Sequence, residues 1–137
     1  TMYGVLDGAK ISFIAYPFFT PKEPVLDYGS VRILSPRDIA VMKIIAISQR
    51  GKKRDFFDLY WYVKHQEPLK DIVRRVPDQY ATVTHDFYHI LKSLTYFEDA
   101  EEDSEPSIYF DATWAGVKKY FEQEVPKLTK ELLFLQK

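Results

Sequence analysis

The run Ser35–Tyr62, SPRDIAVMKIIAISQRGKKRDFFDLYWY, constrains this chain more than any other segment. It reads as two helices joined by a basic turn. Ser35 supplies an N-cap oxygen, Pro36 suits a first helical turn, and Asp38 sets negative charge near exposed amide groups. The first helix is expected to run to about Gln49 and to stop at Gly51, and the second to span about Lys53 to His65. Lys43 is the one charge between Ile39 and Ile47. Its plain reading is a lysine whose stem packs while its head reaches water; its functional reading is a phosphate-binding ammonium on a rigid helix. Arg50, Lys52, Lys53 and Arg54 place four positive charges within five residues. Helix-end basic residues complement the dipole, and Arg54 can pair with Asp58 at i+4, which explains each charge singly. Their clustering points further, to an arginine pair suited to bidentate phosphate recognition. Asp55 and Asp58 lie about one turn apart and could bind Mg2+, act as a base or orient the arginines. The surrounding Phe56, Phe57, Tyr60 and Trp61 favour orientation.

The rest of the chain gives the setting. Asp7-Gly8 between apolar runs predicts a β-hairpin of residues 2–6 and 9–16. The second arm is apolar on both faces as far as Phe19, as a covered central strand would be. Residues 20–29 read as a loop and Ser30–Leu34 as a short third strand. After the helix pair, a short helix opens at Pro68 and ends at Pro77. A fourth spans 82–96 with Val83, Phe87, Ile90, Leu91 and Leu94 at helical spacing. A fifth begins near Asp111, with a kink or break at Pro126 and a last short helix over 128–135. The expected class is α+β: residues 1–34 a partial sheet, residues 35–137 a bundle of about five helices.

At 137 residues, with 46% apolar and 16% aromatic content, the chain can build one solid core. A net charge of −1 argues against a protein that coats nucleic acid generally, while leaving room for a local basic site. There is no cysteine, hence no disulfide frame and no Cys-based metal site, which fits a reducing compartment such as the cytoplasm. No apolar run approaches the roughly 20 residues of a membrane span. Glu98–Glu105 carries six carboxylates in eight residues; without the Asp/Asn-Gly pattern of a calcium loop it reads as solvated loop rather than a metal site. His85 and His89 have i, i+4 spacing but no metalloprotease motif. No G-x-S-x-G, P-loop or G-x-G-x-x-G occurs.

Taken whole, D-I-A-x-M-K-x-x-A-I-x-x-R-G-x-K-R-D-F-x-D-L-Y over Asp38–Tyr60 resembles the AbiEii/AbiGii-type nucleotidyltransferase toxin family. Gly8–Ile14 followed by Tyr16-Pro17-Phe18, the segment Leu94–Glu101, and Trp114 with its helix resemble further parts of that family. The resemblance implies a fold similar to polymerase β-like nucleotidyltransferases, a nucleoside triphosphate (NTP) substrate and Mg2+. It also implies transfer to an acceptor such as tRNA, and an antitoxin partner in toxin–antitoxin or phage-defence pairs. It implies catalytic roles for Lys43, Asp55 and Asp58, and phosphate contacts from Lys43, Arg50 and Arg54. One departure is large. The family's Gly-rich turn followed by D-x-D, whose carboxylates hold metal, has no counterpart here, and Ser12 stands where some members carry a further acid. The expectation is therefore a C-terminal part of a longer protein, with the D-x-D upstream of Thr1 and no transfer by this part alone. Two rival expectations are a non-catalytic module that binds RNA or an antitoxin-like partner, and a purely structural role for the charges.

Overall fold

The computed structural model describes residues 1–134. Its class is α+β, as the patterning predicts. β1 (Met2–Leu6) and β2 (Ala9–Phe13) pair antiparallel with Leu6 opposite Ala9, and β3 (Leu26–Tyr28) pairs with β4 (Val31–Ile33). The helices are α1 (Pro36–Arg50), α2 (Lys53–His65), α3 (Leu69–Arg74), α4 (Val76–Gln79), α5 (Phe87–Ser93), α6 (Glu98–Glu101) and α7 (Trp114–Phe134). Five of these exceed one turn, and α4 and α6 are single turns.

Local chemistry sets the main boundaries. Asp7 and Gly8 both take positive φ (49° and 81°), as a tight turn between right-twisted strands requires. The Ser35 hydroxyl accepts the Asp38 amide at 3.2 Å and starts α1. Gly51 takes φ 56° and donates its N–H to the Ile47 carbonyl, ending that helix. On α7, Val117, Phe121, Val125, Leu128 and Leu132 recur at three- and four-residue steps and are all buried. That stripe packs with Phe56 and Phe57 of α2 and Ile72 and Val73 of α3 in one core with α1. The Phe56 ring lies 5.3–5.8 Å from those of Phe97, Trp114 and Phe121.

Several expectations give way. β2 ends at Phe13 and is not a covered central strand: β1 is exposed throughout, and only Ile11 of β2 is half-covered. Apolar residues on both faces record a strand's preference for cover, which the described residues do not supply. Residues 26–28, expected in a loop, form β3, because Tyr28-Gly29 turns the chain back onto β4. The two hairpins are separate two-stranded sheets. Pro77 does not end a helix; it sits in the first turn of α4, where a missing N–H costs nothing. The helix expected over 82–96 is only α5, which Asp86 caps through the His89 amide, and Val83 is exposed outside it. Pro126 does not interrupt α7; it lies on the exposed side, where water can serve the carbonyl it leaves unpaired. Leu135 of the expected terminal helix lies outside the described residues.

Candidate phosphate site between the first two helices

α1 and α2 meet along a face where four charges interlock. The Lys43 ammonium lies 2.9 Å from Asp55 Oδ1 and 2.7 Å from Asp58 Oδ2. Arg50 donates from Nε to Asp55 Oδ2 at 3.1 Å and from Nη2 to Oδ1 at 3.3 Å. Asp55 is closed to solvent, whereas Arg50 and Asp58 stay half-exposed. A buried carboxylate needs cationic or hydrogen-bonding partners, and α1 supplies both cations. Burial works to lower the Lys43 ammonium pKa, but hydrogen bonds and charge from Asp58 and Asp55 outweigh it and hold it above the ordinary lysine value.

This centre forms one end of a groove of about 590 Å³. Ile14, Tyr16 and Leu34 border it on the strand side; Met42, Ala46 and Gln49 of α1 line its floor. A second hollow, of about 340 Å³, opens beyond Lys43 and Ile39 toward Trp61 and the segment 107–110. The segment carrying Tyr16 is tied down at several points. Asp38, itself buried, accepts the amides of Lys22 and Glu23 at 3.2 and 3.1 Å and the Gln79 side-chain amide at 2.6 Å. The Thr20 amide donates to the Gln79 carbonyl at 2.8 Å, and the Tyr16 and Tyr80 hydroxyls meet at 3.1 Å.

The structure brings Lys43, Arg50, Asp55 and Asp58 together and leaves Arg54 apart. Arg54 is exposed and borders another depression with Lys52, Asp103, Ser104 and Pro106. The expected Arg54–Asp58 pair does not form, because Asp58 is held by Lys43. Nor do the remaining turn cations serve the groove. Lys52 pairs with Asp103 at 3.6 Å; Lys53 is buried, reaching Glu105 at 3.0 Å over the Trp114 ring. Asp103 also accepts the Lys53 amide at 2.9 Å, so the acidic stretch caps α2. His85 and His89 each donate Nε2–H to a backbone carbonyl, of Tyr80 and Ser48.

Sequence reasoning missed Asp38 as an anchor, and the groove-lining Tyr16 and Gln49. Asp38 carried a signal in its position three residues after the capping Ser35, and Tyr16 one in the Tyr16-Pro17-Phe18 run; Gln49 carried none. The acids present do not suit Mg2+: both Asp55 oxygens are committed to cations, and Asp58 is bound to Lys43. No cluster of three His, Asp or Glu able to hold a metal occurs among the described residues. No helix there is long and apolar enough to cross a membrane.

Comparison with known proteins gives the family. An uncharacterized protein of Aquifex aeolicus (strain VF5) is 40% identical over 128 residues. The alignment covers 91% of this chain and 60% of the relative, so the chain spans less than two thirds of that protein's length. No solved structure matches. The family described as nucleotidyl transferase AbiEii toxin, type IV toxin–antitoxin system, matches residues 12–133, the whole α1–α2 charge centre included, and the chain belongs to that family.

Proposed function

We propose that this chain is the phosphate-gripping part of a nucleotidyltransferase toxin, which transfers a nucleotide from an NTP to an acceptor such as tRNA. Residues 1–34 would belong to the catalytic sheet and residues 35–137 to the helical region that holds substrate. The observation that carries this reading is the pairing of Lys43 and Arg50 on one buried carboxylate at the end of an open groove. Asp55 fixes both cations while Arg50 keeps half its surface free, so the guanidinium is held in place with an open side on which a polyanion can be met. Lys43 is held charged beside the place where phosphate oxygens would lie. Arg54 would act only from outside this groove.

Asp55 and Asp58 position cations in this reading. The family implies Mg2+, which when bound supplies charge neutralisation to a transferring phosphate; Asp55 and Asp58, both bound to cations, do not fit as its ligands. The antitoxin relationship, a part in phage defence and a cytoplasmic setting follow as proposals from the family. The rival reading, a non-catalytic module for RNA or an antitoxin-like partner, draws on the same commitment of Asp55 and Asp58 to cations.

The test is to offer the natural protein each labelled NTP with Mg2+ and tRNA. Label should pass to RNA, and Lys43→Ala should reduce it roughly 100-fold, as for other lost transition-state charge contacts. No labelling with any NTP from folded protein would overturn the enzymatic reading and leave the binding module.

A further inference from the structure

We propose that the second hollow, on the far side of Lys43 from Arg50, is a nucleoside pocket. It takes the base and sugar of the same NTP whose phosphates lie on Lys43 and Arg50. This rests on the phosphate reading above and adds what that reading does not contain, the place and chemistry of base binding.

The two hollows share only Ile39 and Lys43, one turn apart on α1. Lys43 bridges them chemically as well. Asp55, its first partner, borders the phosphate groove; Asp58, its second, borders the smaller hollow. A ligand lying across Lys43 therefore has a cationic end and an aromatic end.

The aromatic end has the lining that a base needs. Trp61, which stacks on His65 at 4.8 Å, and the buried Tyr62 line it with Phe110; Ile108 and Pro36 add aliphatic walls, and Tyr109 stands at its rim. Flat π-faces with few polar groups hold a base by stacking and leave orientation to a few donors and acceptors. The hollow is about 340 Å³, near the lower limit of small-molecule sites at ~300 Å³. That suits one base with its sugar better than a length of polypeptide. Asp58 stays half-exposed while binding Lys43. A carboxylate so placed can accept from a sugar hydroxyl, as acidic residues do for ribose in dinucleotide sites.

Tyr109 is the most telling residue. The residue is fully exposed, a large ring presented to water at the rim of this hollow. It lies between α6 and α7, beside Ile108 and Phe110, which do pack on the core. Its neighbours fix the backbone, so the free ring can cover a bound base without a cost in local unfolding.

Tyr109 also gives a clean variant, because its removal takes no buried contact from the fold. The experiment is calorimetric titration of the natural protein with the four NTPs and, separately, with inorganic tripolyphosphate. Tyr109→Ala should weaken the best NTP about tenfold, the usual scale of one lost stacking partner, and leave tripolyphosphate affinity unchanged. Tyr109→Phe should restore NTP binding. If tripolyphosphate binds and Tyr109→Ala leaves NTP affinity untouched, the nucleoside pocket is wrong while the phosphate centre stands. If neither NTP nor tripolyphosphate binds, the phosphate reading has failed and the pocket falls with it.

Discussion

Lys43 of α1 and Asp55 of α2 meet at 2.9 Å, with the carboxylate sealed from solvent and the ammonium still partly open to it. One side of the pair is structural, since it locks two helices. The other side remains available to a ligand.

That asymmetry separates the two aspartates. Asp55→Asn strips the buried anion from Lys43 and Arg50 and should cost about 2–4 kcal/mol, near the range for breaking a buried ion pair. Asp58→Asn, at a half-exposed position, should cost no more than about 1 kcal/mol. Urea unfolding of both variants checks the difference, and equal costs would contradict it.

Asp38 should matter as much for the groove's rim as for α1. Asp38→Ala removes the acceptor of two backbone amides and the Gln79 amide. A loss of about 2–3 kcal/mol is expected. Limited proteolysis should show new cleavage near Lys22.

The pH dependence has two limbs. Burial works to raise the Glu67 carboxyl pKa, but its bonds to Arg75 and Tyr62 and the charges of Arg75 and Arg37 prevail and set it below its ordinary 4.5. A depressed carboxyl stabilises the fold above the unfolded value and loses that contribution as pH falls through the folded one. The acid limb should therefore lie below about pH 4.5 and flatten in Glu67→Gln. Burial and the Glu67 hydrogen bond push the Tyr62 hydroxyl up from 10.0 to about 12. Its contribution is complete below pH 10 and lost as pH rises toward 12, and Tyr62→Phe should remove that share. Stability curves across both limits give the measurement.

Gly51 is placed for its backbone. A Cβ there would meet only ordinary contacts, 3.8 Å from the Ile47 carbonyl oxygen and 3.9 Å from Asp99 Cβ, but φ is 56°. Gly51→Ala should cost about 1 kcal/mol from left-handed strain alone, read as a lowered Tm with unchanged spectra.

Much of this was legible because it is local. Ser35, Gly51 and Asp7-Gly8 each act within a few residues, and the structure uses all three where the sequence put them. The α1–α2 charges were legible as residues but not as partners. Arg54 and Asp58 stand one turn apart on one helix, yet Asp58 turns to Lys43 across the interface. The basic turn looked like one cluster; the acidic stretch some 50 residues on takes Lys52 and Lys53 and leaves Arg50 to the groove. Such assignments depend on how distant segments dock, and no periodicity records them. β2 misled for a related reason: its two apolar faces state a preference for cover that the packing of the described residues does not meet.

On the reading proposed above, Lys43 and Arg50 form a phosphate-holding centre and not only a helix clamp. The most direct test is the affinity of this chain for inorganic tripolyphosphate, compared with Arg50→Gln under conditions where circular dichroism shows both folded. Binding should weaken with salt and fall about tenfold or more in Arg50→Gln, the scale of one lost charge-assisted contact. Equal affinity of the two proteins, or no binding by either, would contradict it and leave the four charges as a clamp between α1 and α2.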